Sequence, residues 1–146
     1  MKKLLAMVLA LVMTLSLAVS ANAAFKDDKS ISDDYAESVA VLNGMGVFKG
    51  YEDGSFQPSG NVTGYEVLAM ILRAVGYDKN NEFSGADWAL HVAQTAQQLG
   101  VLDNVAKTTD LNAPASRELV AELLFQGIQK AQVTYTPAFG YVTDKV

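Results

Sequence analysis

The chain has 146 residues, with 11 basic and 16 acidic side chains for a formal net charge of −5, one histidine and no cysteine. The missing thiols exclude cysteine nucleophiles, thiolate metal sites, iron–sulfur clusters and disulfide staples. The negative balance repels polyanions at long range and disfavours nucleic acid as a partner, while leaving room for a few placed cations to hold an anionic glycan.

Residues 1–23 read as an export signal. Met1-Lys2-Lys3 is a short cationic start, Leu4 to Val19 is apolar apart from Thr14 and Ser16, and Ala21-Asn22-Ala23 is a small-x-small cleavage site. The apolar run is shorter than the roughly 20 residues of a bilayer span. Cleavage before Ala24 leaves a secreted chain with no transmembrane segment, 123 residues long, at a formal −7 once Lys2 and Lys3 are gone. That length supports one small domain, or two repeats sharing a core.

After a polar lead-in from Phe25 to Ser30, Ser32 or Asp33 opens a first helix that runs to about Met45 with Tyr35, Val39 and Leu42 in one stripe. Gly50 to Pro58 breaks the helical pattern. Asp53-Gly54 is a turn pair between Tyr51 and Phe56, and the flanking aromatics are expected to fold back on the helices. Thr63 caps a second helix, with Glu66 placed to complete a capping box and Val62 and Val67 a hydrophobic staple. That helix carries Val67, Leu68, Met70, Ile71, Leu72, Ala74 and Val75 and stops at Gly76.

The plan then recurs. Ser84 is the expected N-cap of a third helix with Asp87 at N3, a Phe83–Trp88 staple, and a stripe of Trp88, Val92, Ala96 and Leu99 ending at Gly100. Ser116 caps a fourth helix with Leu119, Val120, Leu123, Leu124, Phe125 and Ile128 on its buried side. Tyr35-Ala36 and Trp88-Ala89 are 53 residues apart, as are Thr63 and Ser116. A fixed offset of this kind marks units that share a core. The expected fold is mainly α: two helix-loop-helix repeats, 24–79 and 80–131, and a tail, 132–146. The tail is read either as an extended segment against the bundle or as the start of a further region.

These residues resemble the S-layer homology family, the modules that hold bacterial surface-layer proteins and exoenzymes on the cell wall. The likeness rests on Phe25-Lys26-Asp27, Tyr35-Ala36, Leu42, Gly46, Gly50-Tyr51, Asp53-Gly54, Phe56 and Pro58, then on Phe83, Trp88-Ala89, Leu99-Gly100 and Ser116-Arg117. It covers about residues 25 to 130. The resemblance implies attachment through a secondary cell-wall polysaccharide held in grooves between repeats, usually three; two here make an incomplete bundle. The arginine of the family's Thr-Arg-Ala-Glu helix start helps bind that pyruvylated glycan. Gly64 stands at that position in the first repeat, whereas Arg117 keeps it in the second.

Glycan contact is therefore assigned to Arg117 and Ser116, with Trp88, Tyr51 and Asp53 as further candidates. Against this, Arg117 is equally a solvated side chain or one paired with Asp110 or Glu118. Trp88 serves a staple as well as it would line a groove, and Tyr51 and Asp53 serve a turn. Thr63, Glu66, Gly54 and Ser84 are read as caps and turn. An EF-hand count back from Gly54 puts Lys49 at the first ligand position, and His91 alone makes no cluster, so neither metal nor cofactor is expected. Glu66 and Glu118 form no convincing acid–base pair, since Glu66 is used in the cap, and no enzyme is expected. The competing reading is a structural or assembly protein of the cell surface that keeps the fold without the glycan, associating with itself or with a larger surface protein.

Overall fold

The computed structural model describes residues 25–143. The export signal read in residues 1–23 and the last three residues of the tail lie outside the described residues. Four helices, α1 (Asp33–Gly44), α2 (Gly64–Ala74), α3 (Trp88–Gln98) and α4 (Arg117–Ile128), are followed by an antiparallel hairpin of β1 (Val133–Thr136) and β2 (Gly140–Thr143). The chain divides into two compact units, one ending at Pro58 and one beginning at Ser59.

The first unit holds α1 and the aromatic loop. A 3-10 turn at Asp28–Ser30 precedes α1, which starts after Ser32 without a side-chain cap. Only Val39 of the helix is buried, and Tyr35 is 67% exposed, so the stripe read from the sequence is not a continuous core face.

The second unit is built around α2, which packs on both α3 and α4. Its capping box is complete. Glu66 N–H donates to Thr63 Oγ1 at 3.3 Å, and the Glu66 carboxylate accepts from Thr63 N–H at 2.7 Å. Val67, Leu68, Ala69, Ile71 and Leu72 are buried and meet Phe83, Val92, Ala96, Val101 and Leu123 in one core. Gly127 sits where α4 crosses α2 most closely, because a β-carbon there would run into Ile71 Cγ2.

Three expectations are corrected. Ser84 does not cap α3: its hydroxyl donates to the Asn81 carbonyl at 2.6 Å, and Trp88 N–H turns back to the Gly85 carbonyl at 3.3 Å. The turn postpones the helix to Trp88, with Asp87 as an N-cap that makes no side-chain bond. On α4, Leu124, Phe125 and Ile128 are exposed rather than buried, at 46%, 57% and 74%. The tail is not a single extended segment. It is the hairpin, so the fold is predominantly but not purely helical. Val133 N–H donates to the Val75 carbonyl at 2.9 Å, and a β-carbon on Gly76 (φ +109°) would strike the Val133 carbonyl, so this docking requires glycine.

A polar cluster holds the loop after α2. Arg73 Nε donates to Asp78 Oδ2 at 2.7 Å, with both side chains largely or wholly buried, and Phe83 N–H donates to Asp78 Oδ1 at 2.8 Å. Tyr141 joins the hairpin to the same loop, donating its hydroxyl to Glu82 at 2.7 Å and accepting from Lys79 N–H at 2.8 Å.

Candidate functional site

In the first unit, the Gly50–Pro58 loop is shaped by carboxylates. Asp53 Oδ1 accepts from Ser55 N–H at 3.0 Å and from the Ser55 hydroxyl at 2.7 Å, closing a turn in which Gly54 N–H donates to the Tyr51 carbonyl at 2.8 Å. Gly54 takes φ +85°, which a side chain would resist. The Ser55 hydroxyl and amide hold the Asp53 carboxyl below its ordinary range. Its ion pair with Lys26, at 3.8 Å, is exposed on both sides and adds little.

Asp27 is the residue the polar lead-in concealed. Its two oxygens accept from Phe56 N–H and Gln57 N–H, each at 2.8 Å, and the Phe56 amide above all holds its carboxyl below the usual carboxylate range. Phe56 stacks on Phe25 with centroids 5.0 Å apart and lies 5.6 Å from Phe48. The sequence placed Asp27 only in the Phe25-Lys26-Asp27 likeness and gave it no part in the loop; that aromatic-x-Asp spacing was the available signal. Tyr51 is 38% exposed.

In the second unit, the start of α2 and the approach to α4 lie against each other. Thr63 pairs antiparallel with Pro114, and Ala115 N–H donates to the Val62 carbonyl at 2.9 Å. Ser116, two residues on, caps α4 by accepting from Leu119 N–H at 3.2 Å. Arg117 follows as the first helical residue, exposed, and among the described residues its guanidinium has no hydrogen bond or ion pair, neither with Asp110 nor with Glu118. The two capped helix starts are thus tied together by their lead-ins.

Gly64 is buried at this junction. A β-carbon on it would stand 2.7 Å from Leu111 Cδ2 and 3.2 Å from Leu111 Cα, and Tyr65 N–H donates to the Leu111 carbonyl at 3.1 Å. Leu111 fills the space that an arginine here would need.

Beside this plug runs an open groove of about 620 Å³ between Tyr65, Leu102 and Leu111 and the Gln94, Gln97 and Gln98 face of α3. The Tyr65 ring meets Trp88 edge-on with centroids 6.5 Å apart. Trp88 is half-buried and pins Tyr65 beside the groove, although Trp88 itself is not among the lining residues. Sequence reasoning missed Tyr65 and the glutamines. Their signal was the spacing i, i+3, i+4 on the polar face of α3.

Among the described residues no group of three or more His, Asp or Glu side chains is placed to hold a metal ion, and no helix is long and apolar enough to cross a membrane.

Residues 24–68 match the model of the S-layer homology domain. The chain is 34% identical over 89 residues, 61% of its length, to the "Middle cell wall protein" of Brevibacillus brevis, covering 8% of that protein. It is 40% identical over 57 residues, 39% of its length, to the "Surface layer protein" of Brevibacillus choshinensis, covering 5%. It is 31% identical over 107 residues, 66% of its length, to the "Amylopullulanase" of Thermoanaerobacterium thermosulfurigenes, covering 6%. The chain therefore spans less than a tenth of the length of each of these three proteins. No solved structure matches it.

Proposed function

We propose that this chain is an exported module that attaches non-covalently to the bacterial cell wall through its S-layer homology region, by binding a secondary cell-wall polysaccharide. The observation that carries this reading is the match over residues 24–68, on the segment where Asp27 and Asp53 fix the Gly50–Pro58 loop by hydrogen bonds to its backbone. Likeness to a cell-wall protein and a surface-layer protein supports the same location. Likeness to an amylopullulanase fits a wall-attachment segment shared between otherwise unlike proteins. We read the chain as a binding module and not an enzyme.

The second half is read as a divergent repeat. Its support is Ser116, which caps α4 at the same offset of 53 from Thr63 that relates Trp88 to Tyr35. In this reading Arg117 is the glycan cation, exposed and, among the described residues, without an ion pair. Purified protein is expected to pellet with polysaccharide-bearing sacculi, to lose that binding when the polysaccharide is chemically stripped, and to bind more weakly as Arg117→Ala. Undiminished pelleting on stripped sacculi would sink the proposal.

One observation favours a purely structural surface protein: Leu111 closes the helix start at Gly64. Light scattering over a range of concentrations, together with an absence of sacculus binding, would favour that reading if the mass grows with concentration.

A further inference from the structure

We infer that the groove between α2 and α3 takes an uncharged stretch of glycan, so that part of the wall attachment is independent of anionic groups on the polysaccharide. This rests on the wall-binding reading above and specifies the chemistry of one of its surfaces.

The first reason is that this groove offers nothing to an anion. None of its lining residues is charged, in a chain with 27 charged side chains. The neighbouring helix start is largely spent as well. Tyr65 N–H donates to the Leu111 carbonyl, Glu66 N–H to Thr63 Oγ1 and Val67 N–H to the Thr63 carbonyl. Of the N–H groups that make a helix N-terminus attractive to anions, those of Tyr65 and Glu66 are therefore taken, and the Glu66 carboxylate, accepting from Thr63 N–H, adds a negative charge beside them. Gly64 brings no cation, and Leu111 occupies the space where one would reach out.

The second reason is what the groove does offer. Gln94, Gln97 and Gln98 are exposed on one face of α3, and among the described residues none of their amides is held by another group. Each amide is both donor and acceptor, matching sugar hydroxyls and acetamido groups, which are also both. Tyr65, fixed edge-on by Trp88, supplies an aromatic surface with a polar end, and Leu102 and Leu111 line the groove with apolar surface. Amides beside an aromatic, with no ion among them, suit a neutral sugar.

The test uses the purified protein, sacculi carrying their polysaccharide, and N-acetylglucosamine oligomers as an uncharged probe. Retention on sacculi is expected to persist as salt rises from about 0.1 M to about 1 M, where the Debye length falls to about 3 Å. It is expected to fall roughly tenfold in a Gln94→Ala, Gln97→Ala double variant, the loss of about one well-made hydrogen bond. In nuclear magnetic resonance titrations the oligomer is expected to shift the three glutamine side-chain amides. Both substituted positions are exposed, so an unchanged melting curve shows that the variant is folded. Retention that collapses with salt or with Arg117→Ala, yet ignores the glutamine substitutions, overturns this inference and leaves wall attachment standing. Unmoved glutamine amides overturn it too. No retention on any sacculus overturns the wall-binding reading itself.

Discussion

Gly64 shows how one position can be decided by its neighbour. Because Leu111 lies on it, Gly64→Ala forces side chain and backbone into 2.7 and 3.2 Å contacts. Overpacking of this kind costs roughly 1–3 kcal/mol, against which the better helix propensity of alanine returns at most about 1 kcal/mol. A net loss of about 1–2 kcal/mol is expected in denaturant unfolding. Adding Leu111→Ala should shrink the penalty of the Gly64 change, since it removes the closest contact, Cδ2 at 2.7 Å, while the Cα and Cβ contacts at 3.2 and 3.3 Å stay; equal penalties in both backgrounds would show that the Leu111 side chain is not the cause. Asp27 poses the opposite case, a side chain held by backbone alone. Its pKa is lowered in the folded chain, so its contribution is present above about pH 3.8 and is lost as pH falls through the folded value. Asp27→Asn retains one acceptor and turns a donor towards the other amide. Hydrogen exchange at Phe56 and Gln57 is expected to accelerate in this variant at neutral pH, and in the parent chain on acidification. Unchanged exchange at either amide would remove Asp27 as the support of the loop.

Element by element, the sequence revealed what local chemistry decides. The Thr63-x-x-Glu66 box and the stops at Gly76 and Gly100 are written in single residues, and α2, apolar over a broad face, is buried as that breadth implies. Ser84 misled because Gly85 follows it: with φ +74° there, the chain turns once more before the helix can begin. On α4, apolar residues extend too far round the helix for periodicity to choose a face. The choice is made by Gly127, which admits Ile71, and so turns Leu123 inward and Leu124, Phe125 and Ile128 outward. A glycine inside an apolar helix was the available signal of close approach. The hairpin was hidden because its docking depends on distant partners, Gly76 and Glu82. Burial pushes the Tyr141 hydroxyl up to about 12, with the bond to Glu82 adding to the rise. Glu82 is raised by its partial burial, yet the bonds from Tyr141 and Asn80 leave its carboxyl below the ordinary value. Since the folded pKa of Tyr141 is raised, its share of stability is complete below about pH 10 and is lost as pH climbs towards about 12. Tyr141→Phe removes two hydrogen bonds and should cost about 1–2 kcal/mol at neutral pH. The gap between parent and variant in thermal melts should then narrow between pH 10 and 12, while Tyr77, also raised by burial, contributes equally to both. A constant gap would mean that Tyr141 is not what the alkaline pH titrates.

For the whole molecule, the family match and the hydrophobic core fall in different places. The match covers residues 24–68, but every member of the main core cluster lies between Val67 and Leu123. Among the described residues of the unit that ends at Pro58, the buried apolar ones are Val39 and Val47, and its architecture depends on Asp27, Asp53 and a stack of phenylalanines. Chains below about 40 residues seldom fold on so little burial without a disulfide or metal, and this chain has no cysteine. The unit beginning at Ser59 has a three-helix core, a buried Arg73–Asp78 pair and a hairpin secured by Tyr141. Expressed separately, residues 59–146 are therefore expected to show helical circular dichroism and a cooperative melt, whereas residues 24–58 are expected to be largely unfolded. If the short fragment melts cooperatively, its loop and aromatic stack are worth more than their buried area suggests. If the long fragment does not, its core depends on the first 58 residues. With the expected outcome, wall binding by residues 59–146 alone would draw only on Arg117 and the glutamine groove, and comparing its retention on sacculi with that of the whole chain would isolate what the Gly50–Pro58 loop contributes.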